Sequence, residues 1–373
     1  MIRPARTRIA AIMDHSEAEA RARVAAMPDG VYEAESFMDD DAIDIDEPVP
    51  IRVKVTIKGG AMTVDLSAMS PQVKGFFNSG AGVACAQVAF KCLTLPRDNP
   101  INDGSFRSLT VIVPPGTVVS ATRPAPMRVW MTYPMTVVDT IFKALAPAIP
   151  QSVIAGHHAD LVIANINGIH PRDGRLWIYL GGLIGGGWGA KIDEDGVNVT
   201  VCMNDGDTHN GPTEQVENKF PLLVKHYRLR QDSGGAGEFR GGLGAECEVV
   251  ALARVNYQTR VDRVNHPPWG LAGGASALGN RIGMRRKDGA EELFPGGKVN
   301  MRLDAGEAYT LRSGGGGGFG DPKKRARAAV LRDLHLGYVS EAAARRDYGV
   351  AMTAREKAGS VQRVLPAARS RRG

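Results

Sequence analysis

The apolar positions along the first third of the chain predict a helix, a hairpin and a second helix. Apolar residues recur at mixed spacings of three and four over residues 8–27, which is typical of a helix with one apolar face. Apolar and polar residues then alternate over 53–58 and 62–66 with a glycine turn between them, which predicts a β-hairpin. The run of small residues over 80–95 predicts a buried helix.

The rest of the chain reads mainly as short strands separated by glycine turns. One further helix pattern begins at Pro134, because proline suits the first turn of a helix. The strand-like runs are LTVIV, DLVIANI, LWIYLGGLI, VNVTVCM, AECEVVALARV and YQTRVDRV. Strands and helices do not alternate regularly. We therefore expect an α+β fold of β-rich mixed sheets with a few helices, and not a doubly wound parallel sheet.

These patterns divide the chain into five segments. They are an N-terminal helix (1–30), an α+β core domain (31–235), a β-rich domain (236–322), C-terminal helices (323–352) and a disordered basic tail (353–373). The tail is expected to be disordered because it has few apolar residues that could anchor it.

Composition limits the partners and the location of the protein. The 373 residues include 46 basic and 40 acidic ones, and much of the excess charge of +6 lies in the tail, so no nucleic-acid-binding face is predicted. The apolar stretch in the first residues is too short for a signal peptide, so none is expected, and no apolar run approaches the ~18 residues of a membrane span. The four cysteines form no C-x-x-C pair, which disfavours a zinc ribbon or a disulfide framework. We expect a cytoplasmic protein.

Five consecutive glycines in SGGGGGFGDP, at residues 313–322, raise the question of a phosphate-binding loop. Gly315 and Gly320 have the spacing of such a loop, but Asp321 and Pro322 stand where a lysine and a hydroxyl residue are required. Asp321 is better placed to cap a following helix, with Pro322 as the first helical residue. The run is therefore interpreted as a site of close backbone packing.

A second glycine cluster lies at residues 181–196. It leads into a strand-like run and not into a helix, so it does not fit a dinucleotide-binding loop. Gly185, Gly186 and Gly187 could instead form a wall where the backbone approaches a ligand.

The densest polar segment is MNDGDTHNGPTEQVENKF, at residues 203–220. If the strand that starts at Val197 continues through it, then Asp205, Asp207 and His209 point to the same side. Such side chains could build an oxygen-and-nitrogen metal site or an acid/base pair. The alternative is a turn whose Asn and Asp side chains bond to their own backbone.

Adjacent histidines occur in AGHHADL. In an extended segment, His158 and Asp160 share a face, and the carboxylate could orient the imidazole as a general base. Buried structural histidines are the alternative interpretation.

An acidic loop, MDDDAIDIDEP, lies between the first predicted helix and the predicted hairpin. Its aspartates could collect a cation, but a solvated acidic loop is the expected structure.

Six motifs follow one another along the chain: MPDGVYEAESFMDDD, INDGSFRSLTVIVPPGT, GGGWGA, DGDTHNGPTEQVENKFPLLVKHYRLRQDSGGAGEFRGGLG, GGGGGFGDP and LGYVSEAAARRDYGV. Together they resemble the hydantoinase B/oxoprolinase family from Asp14 to Val350, and RQDSGGAGEFRGGLG is the most specific part. The long N-terminal region of the family, which carries its Asp/His metal-binding residues, has no match here. The divalent metal site of the family is therefore expected in that missing region.

The resemblance implies a function in a hetero-oligomer with a hydantoinase A-type subunit. The A-type partner would bind ATP and Mg²⁺ and phosphorylate the oxygen of a cyclic-amide or ketone substrate. The B-type chain would help form the site of hydrolysis, as in 5-oxoprolinase, N-methylhydantoinase and caprolactamase. Two alternatives stay open: a subunit of an acetone/acetophenone-type ATP-dependent carboxylase, and a non-catalytic scaffold or truncated relic.

The resemblance assigns no catalytic role within the matched region, so the candidate site rests on position and chemistry. Asp205 or His209 could position or deprotonate water, and the side-chain amides of Asn204 and Asn210 could hold the substrate carbonyl. The catalytic candidates are Asp205, His209, His158 and Asp160. The substrate-binding candidates are Asn204, Asn210, Glu214, His157, Gly185, Gly186 and Gly187.

Overall fold

The computed structural model of the protein describes residues 2–95, 100–128, 132–181, 184–203, 206, 208–353 and 356. These residues form an α+β fold with three sheets, as predicted. The helices are α1 (Ile2–Ala25), α2 (Gly82–Thr94), α3 (Thr132–Leu145), α4 (Thr213–Lys219), α5 (Arg327–His335) and α6 (Glu341–Ala343). The strands are β1 (Gly30–Met38), β2 (Val49–Lys58), β3 (Ala61–Asp65), β4 (Leu109–Ile112), β5 (Ala164–Ile169), β6 (Leu176–Gly181), β7 (Leu222–Leu229), β8 (Ala245–Ala251), β9 (Val255–Thr259), β10 (Arg281–Arg285), β11 (Glu291–Leu293), β12 (Asn300–Leu303) and β13 (Ala308–Arg312).

The first sheet has the strand order β1-β2-β3-β4 and packs against α3. Strand β2 alternates buried and outward residues, and its apolar side faces the core. Strands β2 and β3 pair antiparallel, which confirms the predicted hairpin, and β4 adds a parallel edge. Helix α3 is buried on nearly all sides: its apolar face packs in the core, and Thr136, Asp139 and Thr140 on its polar face have hydrogen-bonding partners within the protein. The predicted helices over 8–27 and 80–95 correspond to α1 and α2.

The other two sheets share one apolar core. Their strand orders are β11-β10-β13-β8-β7 and β12-β9-β5-β6, and all of their pairs are antiparallel. Tyr257 on β9 and Tyr309 on β13 stack with ring centroids 4.8 Å apart in this core. Both sheets combine strands from before and after residue 235, so the predicted division between 31–235 and 236–322 falls inside them.

One predicted strand is wrong. The run VNVTVCM, at residues 197–203, belongs to no named strand. Its amides bond to two different neighbours instead: Val199 N donates to Leu243 O at 2.8 Å, and Thr200 N donates to Gly186 O at 2.9 Å. Because these neighbours are themselves irregular glycine-rich segments, no sheet ladder forms.

The five-glycine run is the centre of a bundle of extended segments, which we call the glycine bundle. It consists of the central segment 314–320 and the surrounding segments 155–158, 185–190, 233–237, 239–244 and 269–278. Two pairs of amides three residues apart in the centre each bond to a single neighbouring segment, whereas Gly317 and Gly320 donate to different segments, at Gly156 O and Leu271 O. Gly315 and Gly318 donate to Leu278 O and Ala275 O at 3.1 and 3.0 Å, and Gly316 and Phe319 donate to Gly242 O and Phe239 O at 2.9 Å. This period of three is that of a polyproline-II-like helix.

Close packing explains why the centre of the glycine bundle contains glycine. A Cβ on Gly316 would lie 1.9 Å from the carbonyl oxygen of Trp188, and a Cβ on Gly317 would lie 1.8 Å from that of Trp269. The amides of these two glycines donate to protein carbonyls and are not available to a phosphate. The packing interpretation of the run is therefore confirmed.

The helices near the C-terminus dock beside the glycine bundle. Asp321 accepts a hydrogen bond from Lys323 N at 2.9 Å and caps a short 3₁₀ turn, whereas α5 begins only at Arg327. Arg325 holds this region by ion pairs to Asp195 and Asp333 at 2.6 and 2.7 Å. Apart from residues 353 and 356, the predicted tail lies outside the described residues.

Within the part of the chain that the structure describes, none of the helices has both the length and the apolar character needed to cross a membrane.

Candidate functional site

The two adjacent histidines lie where the segment after α3 joins the glycine bundle. His158 N donates to Gly187 O at 3.0 Å, and a Cβ on Gly186 would lie 2.3 Å from the His158 ring. Ala159, between His158 and Asp160, has a φ of 45°, which breaks the extended conformation assumed for this segment. The alternation that was expected to put His158 and Asp160 on one face is therefore absent.

The predicted pairing of the His158 ring with the Asp160 carboxylate is wrong. His158 Nε2 lies 3.0 Å from the backbone oxygen of Asp160, and both side chains are buried. Burial, together with His157 and Arg263, holds the pKa of His158 well below its usual value, so the ring is neutral. His157 is also fully buried, with Nδ1 3.1 Å from the Asp139 carboxylate.

The Asp160 carboxylate accepts three hydrogen bonds. They come from Leu161 N at 2.8 Å, Asp262 N at 2.9 Å and Asn280 Nδ2 at 3.1 Å. Burial and then the charge of Asp262 nevertheless raise the pKa of Asp160 to about 7. Asp160, His158, Ile184 and Gly185 line one small pocket. A carboxyl group that titrates near neutrality at a pocket is a candidate proton donor or acceptor.

Asp160 belongs to a larger buried group, which we call the charge cluster. Its members are Asp39, Asp40, Asp160, Asp262, Arg263 and Lys298. Lys298 Nζ lies 2.8 Å from the Asp262 carboxylate and 3.4 Å from that of Asp40. Burial alone would lower the pKa of Lys298, but Asp262 and Asp40 raise it. Arg263 pairs with Asp139 at 3.2 Å and lies over the ring of Trp269.

The prediction of a solvated acidic loop is wrong for its first three aspartates, Asp39, Asp40 and Asp41, which are only 3–4% exposed. Asp39 accepts hydrogen bonds from the backbone of Val264, Asn265 and His266, and from His266 Nδ1 at 3.0 Å. Burial would raise the pKa of Asp39, but these hydrogen bonds and Lys298 lower it. Asp39 is buried because donors from a distant part of the chain satisfy its carboxylate, whereas Asp41 accepts from Ile43 N and Asp44 N of its own loop and from Gly75 N.

The described residues do not fit the divalent metal that the resemblance implies. Among the residues that the structure describes, no group of three or more His, Cys, Asp or Glu side chains could hold a metal ion. In the charge cluster, Asp39 and Asp160 already accept backbone N–H bonds, and Asp262 is paired with Lys298. The expected location of the family's metal in an N-terminal region stays a prediction.

The polar segment 203–220 is only partly described, because Asn204, Asp205 and Asp207 lie outside the described residues. His209 and Asn210 are exposed in an irregular segment before α4 and not in a continued strand. His209 lines a depression of about 180 Å³ together with Gln215 and Lys219. Glu214 is exposed in the first turn of α4 and lines neither this depression nor the pocket beside it.

The pocket beside this depression, which we call the aromatic pocket, has a volume of about 170 Å³ and shares Tyr179, Asn210, Gly211 and Val216 with the depression. Its lining residues come from β6, from the start of α4 and from the sheet that contains β7, β8 and β13; they are Tyr179, Ile184, Asn210, Gly211, Thr213, Val216, Val224, Tyr227, Cys247, Val249 and Tyr309. Asn210 Nδ2 donates to Tyr227 Oη at 3.3 Å at its mouth. Burial raises the pKa of the Cys247 thiol to about 12, so the thiol is neutral.

A β-bulge shapes the floor of the aromatic pocket. Val224 pairs with Val249 and Tyr227 pairs with Cys247, with a register shift between the two pairs. Because of this extra residue, Val224 and Tyr227 line the same pocket although they are three positions apart. Strict alternation along β7 would put them on opposite faces, so the sequence pattern missed this group. The only available signal was the high proportion of tyrosine and valine in these strands.

The three predicted wall glycines have different neighbours. Gly185 lines the small pocket with Asp160, whereas a Cβ on Gly187 would lie 1.9 Å from Gly242 O. Gly186 and Gly187 are therefore explained by contacts within the protein, and a ligand wall stays a prediction for Gly185. Ile184 lines both the small pocket and the aromatic pocket, so the two lie on either side of it.

Comparisons with known proteins agree with this fold. The family model described as hydantoinase B/oxoprolinase matches residues 5–322. The chain is 32% identical over 355 residues to caprolactamase subunit beta from Pseudomonas jessenii, covering 92% of this chain and 60% of that relative. It is 30% identical over 296 residues to 5-oxoprolinase 1 from Arabidopsis thaliana, covering 77% of this chain and 21% of that relative.

Comparisons with solved structures also agree with this fold. The crystal structure of ATP-dependent caprolactamase from Pseudomonas jessenii matches with a TM-score of 0.81 and 28% identity over 96% of this chain and 64% of that chain. Nucleotide-free acetone carboxylase matches with a TM-score of 0.78 over 94% of this chain and 54% of that chain, and at 19% identity this shows the fold alone. The chain spans about three fifths of the length of the caprolactamase subunit and of a hydantoinase subunit that it matches.

Proposed function

The chain belongs to the hydantoinase B/oxoprolinase family, and we propose that it is the B-type subunit of an ATP-dependent enzyme that opens a cyclic amide. In this proposal it acts in a hetero-oligomer with an A-type partner that binds ATP and Mg²⁺. The observation that carries the proposal is the similarity to caprolactamase, which extends over 92% of this chain in sequence and 96% in structure.

A cyclic amide needs activation before water can open it, because amide resonance makes its carbon a poor electrophile. ATP in the partner would supply that activation by placing phosphate on the amide oxygen, which gives the carbon a leaving group. The described glycine run of this chain does not fit that task, because the amides of Gly316 and Gly317 are already bonded within the glycine bundle. The role of this chain is then to hold the ring and to position water.

Two of the predicted residues are proposed to contact the substrate. Asn210 stands at the mouth of the aromatic pocket, where its side-chain amide could donate to the carbonyl oxygen. His209 lines the adjoining depression, where it could position water. Asn204 and Asp205, which lie outside the described residues, stay proposed partners in these two tasks.

Asp160 and His158 are proposed to act from the small pocket, which lies on the other side of Ile184 from the aromatic pocket. The Asp160 carboxyl group, whose pKa is raised to about 7, could hold a proton at the small pocket near Gly185. His157 is fully buried and Glu214 lines neither pocket, so neither of them contacts substrate in this proposal.

The decisive experiment is reconstitution with the A-type partner. The copurified complex is assayed for ATP hydrolysis with and without a lactam, and with and without bicarbonate. We expect ATP hydrolysis that depends on the lactam and not on bicarbonate. A requirement for bicarbonate would replace this function with that of a carboxylase, and the absence of any stimulated ATP hydrolysis would favour a scaffold.

The residue assignment is tested in the same complex with His209→Ala and Asp205→Asn. Each variant is expected to lower kcat by about 10²-fold or more, which is the usual range for a group that handles a proton in the reaction. Glu214→Gln is the matched control, because that side chain is exposed on α4 and lines neither pocket. Unchanged turnover in the His209 and Asp205 variants would contradict the assignment.

A further inference from the structure

The aromatic pocket has the size of a single small ring. Its volume of about 170 Å³ is close to that of an engineered apolar cavity of about 150 Å³ that binds benzene. Drug-sized ligands occupy clefts of about 300 Å³ or more. A five- to seven-membered ring therefore fits the aromatic pocket, whereas a nucleotide or a peptide does not.

The described residues that line the aromatic pocket are mostly apolar or aromatic, and none of them is charged. Val224, Val249 and Cys247 form its floor, and the Tyr179 ring closes one side, held against Phe220 with ring centroids 4.9 Å apart. None of its lining side chains within the described residues is Asp, Glu, Lys or Arg. Placing a carboxylate among such groups costs far more than placing a neutral ring there, because no partner offsets the lost hydration.

Three of the polar lining side chains, Asn210, Thr213 and Tyr227, are exposed at the mouth. Asn210 and Tyr227 are joined by the hydrogen bond described above, and Thr213 stands beside them. In a small cyclic amide, the ring forces the N–H and the C=O onto the same side. The side-chain amide of Asn210 offers one donor group and one acceptor group next to each other, so it can pair with both.

We propose that the aromatic pocket binds the ring of a small uncharged cyclic amide, that Asn210 pairs with the amide of that ring, and that lactams carrying a carboxylate are excluded. This inference deepens the proposed function, on which it rests for the class of substrate. It narrows that class to neutral lactams, because none of the described side chains that line the pocket carries a charge that could pair with a carboxylate, and Lys219 lines only the adjoining depression.

Binding of single-ring probes to the full chain tests the proposal. Titrations with 2-piperidone, ε-caprolactam and 5-oxoproline at pH 7 are followed by NMR or calorimetry. We expect saturable binding of the two neutral lactams and at least tenfold weaker binding of 5-oxoproline, whose carboxylate is ionised at this pH. Equal affinity for 5-oxoproline would overturn the exclusion of charged rings.

Two variants at the exposed mouth locate the binding without disturbing the core. Thr213→Trp should block the aromatic pocket and abolish lactam binding, and Asn210→Ala should weaken it about fivefold to tenfold through the lost hydrogen bonds. Asn218→Ala is the matched control, because Asn218 lies on the same helix and does not line the pocket. Lactam binding that survives both mouth variants would overturn the proposal.

Failure of this inference can be told apart from failure of the proposed function. If the reconstituted complex hydrolyses ATP in response to lactams while Thr213→Trp leaves KM unchanged, the function stands and the aromatic pocket is not its substrate site. The opposite result is that the complex shows no lactam-dependent ATP hydrolysis, but the chain binds neutral lactams and Thr213→Trp removes that binding. The aromatic pocket is then supported as a lactam-binding site, and the proposed function is contradicted.

Discussion

The two sides of Ile184 differ in what their residues are free to do. On one side lie the charge cluster and the glycine bundle. Most of the charged side chains of the cluster are bonded to a neighbour, and the glycines of the bundle are packed against neighbouring backbone. On the other side, none of the described residues that line the aromatic pocket is charged, and the mouth of the pocket is exposed. Residue type alone favours the charge cluster as the functional site, whereas solvent accessibility favours the aromatic pocket.

This difference means that the two sides should respond differently to substitution. Asn280 joins the charge cluster to the glycine bundle, since its Nδ2 donates to Asp160 and its Oδ1 accepts from Gly314 N at 2.6 Å. A change on that side therefore disturbs both structures at once. The mouth of the aromatic pocket has no such connection, and changes there should affect binding while leaving stability nearly unchanged.

The largest effect is expected from Gly316→Ala, which tests whether the glycine bundle tolerates any side chain. The new Cβ would lie 1.9 Å from the main-chain oxygen of Trp188, which cannot move aside as a flexible side chain could. We expect a loss of at least about 5 kcal/mol in the free energy of unfolding, or no folded protein. Gly80→Ala is the control, since nothing lies within 4 Å of its would-be Cβ. Equal stability of both variants, measured by urea unfolding, would refute close packing.

Lys298→Met tests the charge cluster itself. It would leave the Asp262 and Asp40 carboxylates buried without their cation, and we expect a loss of about 3–5 kcal/mol. Lys74→Met removes an exposed ion pair with Asp44 and should cost less than about 1 kcal/mol. Similar unfolding midpoints for the two variants would show that Lys298 is not balancing buried charge.

Asp160→Asn tests the raised pKa through the pH dependence of stability. The folded protein retains a proton on Asp160 up to about pH 7, whereas the unfolded chain releases it near the ordinary value of 3.8. This group therefore makes the wild type progressively less stable as pH rises from about 4 to 7, by on the order of 2–4 kcal/mol. The variant lacks this loss, so its stability relative to the wild type should increase with pH. Parallel stability curves between pH 4 and 8 would show that the pKa is not raised.

The smallest effect is expected from Tyr227→Phe at the mouth of the aromatic pocket. The Tyr227 side chain is 44% exposed, and only its hydrogen bond with Asn210 is lost. We expect a change in the free energy of unfolding within about 0.5 kcal/mol. A loss above about 2 kcal/mol would mean that residues at the mouth contribute to stability as strongly as those of the charge cluster.

Local periodicity was sufficient to predict those elements whose pairing partners lie close to them in the sequence. The hairpin of β2 and β3 follows directly from alternation across a glycine turn, and α2 follows from a short run of small apolar residues. The run at 197–203 has the same alternation, yet its amides bond to Leu243 and Gly186 in the glycine bundle. Composition cannot reveal that the neighbours of a strand-like run are irregular.

The candidate site was harder to predict because its residues also depend on neighbours that are distant in the sequence. The backbone donors that allow Asp39 to be buried lie more than 220 positions away along the chain. The aromatic pocket depends on a bulge in β7, which no alternation pattern contains. His209 and Asn210 were found because polar clusters are visible in a sequence, but their apolar neighbours across the pocket were not.

The glycine bundle also limits how the chain can change in length. Each residue of its central segment points about 120° away from the one before it, because such a helix has three residues per turn. Inserting a single glycine would turn every later amide toward the wrong neighbour, whereas inserting three would restore the directions of the bonds to Leu278 and Gly242. Length variation in this segment should therefore be tolerated only in steps of three residues, a rule of spacing that a count of glycines does not reveal.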